Sequence, residues 1–131
     1  MEQIESKQKK VLLDTNFLIA CIKQKIDFFE EISQQGFKVL VPENVLRELR
    51  KIRDSKEQKM KDRDLASLAI QILKKNKYEK IFLRGKNVDN TIAEFANSRK
   101  DIIVATLDRE LKKKIDKNKM VIKDKKKLDV V

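Results

Sequence analysis

Histidine is absent from the 131 residues, and cysteine appears once, at Cys21. Without histidine there is no Ser/His or Cys/His nucleophilic arrangement and no His-ligated zinc centre. One cysteine excludes an internal disulfide and a cysteine-based zinc site. Any catalysis must therefore run on carboxylates, lysines, hydroxyls or a hard metal ion. Aromatic residues make up only 5% of the chain, and the phenylalanines sit mainly in apolar runs, so base stacking has little support. No stretch reaches the roughly 18 uncharged apolar residues of a membrane helix, and the opening MEQIESKQKK lacks the apolar segment of a signal peptide. A cytoplasmic location without a membrane partner is the expectation. One proline and two glycines leave no Pro/Gly linker to divide the chain. A single domain over 1–131 follows, with charged tails expected at 1–10 and 123–131.

What is present is charge. Hydrophobic and charged residues each account for 40%, an ionic but globular balance that can bury a core of ordinary size. Lysine and arginine number 32 against 21 acids, for a net charge of +11. Lysine and glutamate enrichment also accompanies thermal adaptation, which accounts for many charges but not for an excess of one sign. A basic domain of this kind suits a polyanion, nucleic acid first.

Short apolar runs alternate with amphipathic segments. Val11–Leu13, Phe37–Val41, Ile81–Leu83, Ile102–Ala105 and Met120–Ile122 read as strands, the first as one buried on both faces. Between them lie helical patterns: one after Asp14 carrying Phe17, Leu18, Cys21 and Ile22; Ile26 to Gln35, stopped by Gly36; and one opened by Pro42 with Val45, Leu46, Leu49 and Ile52 inward. Cys21 falls on the apolar stripe as a small core residue. The polar stretch Arg50 to Lys61 fits either a helical extension or a connection. Alternation at this spacing predicts an α/β fold, a doubly wound sandwich around a parallel sheet of about five strands. Its ligand crevice lies beyond the carboxyl ends of the strands.

Four acids fall at that end. Asp14 follows strand one, Asp89 closes the loop after strand three, Asp108 follows strand four, and Glu48 flanks the apolar stripe of the helix after strand two. Asp14, Asp89 and Asp108 also suit helix N-caps, where a carboxylate accepts backbone N–H groups, and Glu48 suits an exposed partner for a neighbouring cation. Gathered in one crevice, however, four carboxylates repel unless cations or protons offset them. Oxygen ligands without histidine favour Mg²⁺ or Mn²⁺ over zinc, with part of the coordination supplied by water.

These motifs resemble those of the PIN-domain ribonucleases. VLLDTNFLI is similar to the family's opening strand and aspartate, VPENVLREL to its glutamate motif, and VDNTIAEFA with VATLDREL to its last two. The resemblance spans Val11 to Ile122 and is nearest to small archaeal proteins akin to rRNA-processing nucleases, with VapC-type toxins as neighbours. It implies that Asp14, Glu48, Asp89 and Asp108 are catalytic and metal-binding, with Asn16 and Thr106 as supporting polar residues. Leu107 stands where the family often has a small or polar residue, and Asn90 where many members carry a further acid. The implied activity is a Mg²⁺- or Mn²⁺-dependent endoribonuclease, in rRNA processing or as a toxin-type enzyme. The implied partners are RNA, a second copy in a homodimer, and an antitoxin or ribosome-assembly protein. A non-catalytic RNA-binding module would share the fold, and a phospho-accepting receiver domain the strand-end acids, although the latter gives Glu48 no role.

Arg84 and Lys86, in the loop leading to Asp89, and Arg109, beside Asp108, are the candidate phosphate contacts. Electrostatic binding of this kind should weaken log-linearly with salt, with a slope near −0.7 per neutralised phosphate on single-stranded RNA. Replacing Arg84 and Lys86 together should lower that slope by up to about one unit per lost contact. A titration series in potassium chloride reads both, and affinity that stays flat up to physiological salt would exclude an electrostatic grip.

Overall fold

A computed structural model describes residues 8–116 and 118–131. Its elements run β1 (Lys10–Leu13), α1 (Thr15–Lys23), α2 (Phe28–Gln34), β2 (Lys38–Pro42), α3 (Glu43–Asp54), α4 (Met60–Lys75), β3 (Glu79–Ile81), α5 (Val88–Asn97), β4 (Ile102–Ala105), α6 (Arg109–Lys114), β5 (Lys119–Lys123) and, after a 3₁₀ turn, β6 (Lys127–Val130). They form one six-stranded sheet in the order β3-β2-β1-β4-β5-β6. The first five strands pair in parallel, and β6 runs antiparallel to β5.

Successive residues of a strand face opposite sides, so the unbroken apolar run of β1 feeds two cores. Val11 and Leu13 pack with β2, β4 and helices α1 to α4. Leu12 joins Leu40, Ile102 and Val104 beneath Ile92, Ala93 and Ala96 of α5 and Leu111 of α6. The result is the α/β/α sandwich expected from the alternation. Cys21 lies fully buried in the first core, and that burial, with the nearby charge of Glu31, pushes its thiol up to about 12. It is a core residue.

Several boundaries move, each for a local reason. Helix α2 begins at Phe28, because Asp27 caps it by accepting from the Glu30 N–H at 3.2 Å. It ends at Gln34 with Gln35 as its cap, and the φ of +85° at Gly36 lets Gly36 and Phe37 donate back to Ser33 and Ile32. Pro42 closes β2 and occupies the cap of α3 instead of its first turn. The polar stretch divides, with α3 running to Asp54 and α4 starting at Met60. Strand three lies two residues earlier than its apolar run suggests, leaving Phe82 and Leu83 beyond it.

The sheet is larger than expected because the lysine-rich end is not a free tail. Leu128 is buried, its N–H donates to the Glu31 carboxylate at 3.1 Å, and its carbonyl accepts from Gln35 Nε2 at 3.0 Å. Helix α2 thus satisfies main-chain groups that a bare edge strand would leave open. At the other end, Lys10 already belongs to β1, and the rest of the expected N-terminal tail, apart from residues 8 and 9, lies outside the described residues. Leu128→Ala should therefore destabilise the protein by about 2 kcal/mol or more in urea unfolding, the usual scale for truncating a buried leucine. An unchanged midpoint would return the segment to the status of an exposed tail.

Candidate active site

The sheet order reverses at β1, which has β2 on one side and β4 on the other. Ligand crevices of open parallel sheets form at such a switch point. Pairing in register sets Leu13 beside Ala105, and the Asp14 N–H continues the ladder by donating to the Ala105 carbonyl at 3.0 Å. The next residues of the two strands, Asp14 and Thr106, are thereby held side by side. Thr106 Oγ1 donates to Asp14 Oδ2 at 2.7 Å and accepts from the Asp108 N–H at 3.1 Å. One buried hydroxyl, fully excluded from solvent, ties two acidic positions together.

Asp14 also caps α1 through Oδ1, which accepts from the Thr15 N–H at 3.0 Å. Its two roles coexist, one on each oxygen. Thr15 is buried, and its Oγ1 donates to Glu48 Oε1 at 2.8 Å, drawing the α3 carboxylate toward β1. Asp108 caps α6 by accepting from the Glu110 and Leu111 N–H groups. Asp89 is not a cap: Asn87 accepts from the Asn90 N–H at 2.9 Å, and Asp89 falls in the first turn of α5.

Electrostatics join all four acids. Burial raises the Asp14 carboxyl above its ordinary value of 3.8; bonds from Thr106 and Thr15 oppose that, and the charges of Asp89 and Glu48 add to it. Burial likewise raises Asp89, and Asp108 pushes it further, as a charge and as a hydrogen-bonding neighbour. Among the described residues, no three acidic groups stand close enough to hold a metal ion between them. Mg²⁺ and Mn²⁺ usually keep several waters and take only one or two carboxylates directly. The donors are all oxygen, and the mutual repulsion of Asp14, Asp89 and Asp108 is what a hard cation relieves.

The remaining predicted positions divide. Thr106 is the hydroxyl bridge, whereas Asn16 is exposed on α1. Arg84, Lys86 and Arg109 are exposed on the segments next to Asp89 and Asp108, as phosphate contacts must be. Sequence reasoning missed Thr15. Its signal was available, since a hydroxyl directly after a strand-end aspartate enters the first turn of the helix beside it.

Comparison with known proteins places these features in context. Residues 11–127 match the family described as a PIN like domain. The chain is 32% identical over 127 residues to Ribonuclease VapC4 of Methanocaldococcus jannaschii, covering 92% of this chain and 95% of the relative. It is 30% identical over 112 residues to rRNA-processing protein fcf1 of Schizosaccharomyces pombe, covering 82% of this chain and 53% of fcf1, so it spans about half of that relative. The solved structure of the PIN domain endonuclease Utp24 superposes with a TM-score of 0.72 at 25% identity, over 92% of this chain and 90% of that one.

The raised Asp14 carboxyl has a consequence for stability. A carboxyl whose folded-state value lies above its unfolded one holds its proton more tightly in the native protein. Its stabilising contribution is present below the unfolded value of 3.8 and is lost as pH rises through the folded value. In EDTA at neutral pH, Asp14→Asn should thus melt at a higher temperature than wild type, and the gap should shrink as pH falls toward 3.8. Both residues cap helices well, so capping does not obscure the comparison. A mutant that melts lower at neutral pH would show that Asp14 is not under strain from its neighbours.

Proposed function

The chain belongs to the PIN-like domain family, and from that premise we propose that it is an endoribonuclease whose site is the acidic crevice at the β1–β4 junction. The observation that carries this reading is the set of four carboxylates at one end of the sheet, with Thr15 and Thr106 tying Glu48, Asp14 and Asp108 to the strand ends and Asp89 repelled by Asp14 and Asp108, in a protein of net charge +11. A basic protein that concentrates negative charge in one crevice has a surface that attracts a polyanion and a site that calls for a cation.

Asp14, Glu48, Asp89 and Asp108 would hold Mg²⁺ or Mn²⁺, some of them through water. When bound, the cation supplies Lewis acidity that stabilises charge on the phosphoryl oxygens and lowers the pKa of water. The protein's own contribution is preorganisation. Thr106 fixes one oxygen of Asp14, the Thr15 N–H fixes the other, and the sheet holds both in place before RNA arrives. Asp108 is fixed in turn by two N–H groups of α6. Arg84, Lys86 and Arg109 would steer the phosphates across the crevice.

The match over 95% of Ribonuclease VapC4 supports ribonuclease activity for the domain over 1–131. The toxin-type reading, with an antitoxin as partner, goes with that likeness. The likeness to fcf1 and Utp24 supports cleavage of ribosomal RNA with an assembly partner. Cleavage of a structured rRNA fragment against single-stranded RNA, with and without a candidate antitoxin, separates the two settings.

Asp14→Asn should reduce cleavage of labelled RNA with Mn²⁺ by roughly 10²-fold or more, the scale of losing one preorganised electrostatic group. Folding and RNA binding in chelator should remain. Turnover within a few-fold of wild type would remove Asp14 from the site and leave it as a helix cap.

A further inference from the structure

Six phenylalanines occur in the chain, and five are buried or half-buried; Phe82 alone is open, at 71% exposure. It follows β3 directly and faces a shallow cavity of about 190 Å³, bounded by the first turns of α3 and the loop before α5. A lone exposed apolar side chain is ordinary on a protein surface. The surroundings of this one are not.

The two helices that border the cavity also carry two of the four acids, Glu48 and Asp89. Asn44 and Arg47 line it from α3, and Asn44 lies about one helical turn, roughly 6 Å of rise, before Glu48. Val88 and Thr91 line it from α5 and flank Asp89 in sequence. The loop is pressed against α5 by Gly85, whose φ is +149° and where an added Cβ would collide with Thr91 Oγ1. Thr91 is itself held by its bond to the Asn87 carbonyl at 2.8 Å. On this side the cavity wall is thus fixed by the close approach of Gly85 to Thr91.

Its chemistry is that of a base and a phosphate. Phe82 offers an aromatic face, with Lys80 Nζ 5.8 Å from the ring centroid. Arg47 is exposed at the rim. The one acid there, Glu43, is offset by Arg50 at 3.1 Å and Lys80 at 3.4 Å, so it does not present an unopposed charge to a phosphate. Asn44 Oδ1 is buried with no hydrogen-bond partner among the described residues. Its amide turns about a broad χ2 well, and the N–H groups of a base edge can satisfy it. The volume lies below the roughly 300 Å³ at which pockets take drug-sized ligands and suits a single flat ring system.

We propose that this cavity is a subsite for one unpaired nucleobase of the RNA, stacked on Phe82 beside the nucleotide to be cut. The inference rests on the ribonuclease reading above and adds a specificity determinant to it. The cavity shares α3 with Glu48 and α5 with Asp89, and stacking requires the base to be single-stranded. The subsite thus directs the enzyme to loops and unpaired segments.

The test measures binding of a short fluorescein-labelled single-stranded RNA in EDTA, so that it does not depend on turnover. Phe82→Ala should weaken binding about 5- to 150-fold, the range for losing one base–aromatic stack. Phe82→Tyr should stay within about twofold of wild type, and Phe82→Leu, which keeps apolar bulk without a ring, should behave like the alanine variant. Scanning a single abasic nucleotide along the RNA should find one position that costs wild type the same factor and costs Phe82→Ala nothing further. Melting curves should be unchanged, since Phe82 is exposed. Equal affinity of wild type and Phe82→Ala overturns the subsite while leaving the ribonuclease reading intact. So does a variant that keeps RNA affinity but loses self-association, which would make Phe82 a protein contact. Absence of RNA binding by the wild type overturns the ribonuclease reading itself.

Discussion

The parallel pairing of β1 with β4 is the constraint on which the rest depends. Two strands far apart in sequence, Lys10–Leu13 and Ile102–Ala105, lie in register to their last residue, and Asp14 extends the ladder by one further bond. That bond gives the site its rigidity. A carboxylate at the end of a free loop would swing away from like charges. Asp14 cannot, because its backbone is held by β4, one oxygen by Thr106 and the other by the first turn of α1. The repulsion stored among the acids is held by the two hydrophobic cores that clamp this strand pair from both faces.

The charge distribution divides labour along the same line. Most of the cationic excess is spread over exposed helices and loops, where it acts at a distance and is screened by salt. The three aspartates of the crevice are partly withdrawn from water, so their interactions are stronger for each ångström of approach. On the proposed reading, attraction of RNA and the chemistry performed on it would be served by opposite charges in different dielectric surroundings.

The edges of the sheet show how local rules give way to tertiary context. The stretch after Lys123 is dense in lysine, and by composition it belongs to solvent. Yet Leu128 supplies one apolar anchor, and Glu31 and Gln35 of α2 supply the missing main-chain partners. Three specific interactions outweigh the general preference of lysine for water, because lysine side chains on an edge strand still reach solvent while their backbone pairs.

The residue order alone determined the alternation of strands and helices, the side of the sheet on which a site must lie, and the four acids that reach it, because these follow from periodicity and from the direction of parallel strands. It also determined the cap of α1, since Asp14 touches only its immediate neighbour there. What the tertiary structure decided was everything that depends on pairs distant in sequence. Thr15 holds Glu48 across 33 residues and Thr106 holds Asp14 across 92; no local pattern announces either bond. Asn87 took the cap expected of Asp89, because α5 starts at Val88 and places Asp89 inside its first turn. Phe82 looked like core in its run of apolar neighbours, and it became surface because β3 ended at Ile81. Hydrophobicity specifies that a side chain prefers burial; only the three-dimensional packing specifies whether there is a neighbour to bury it.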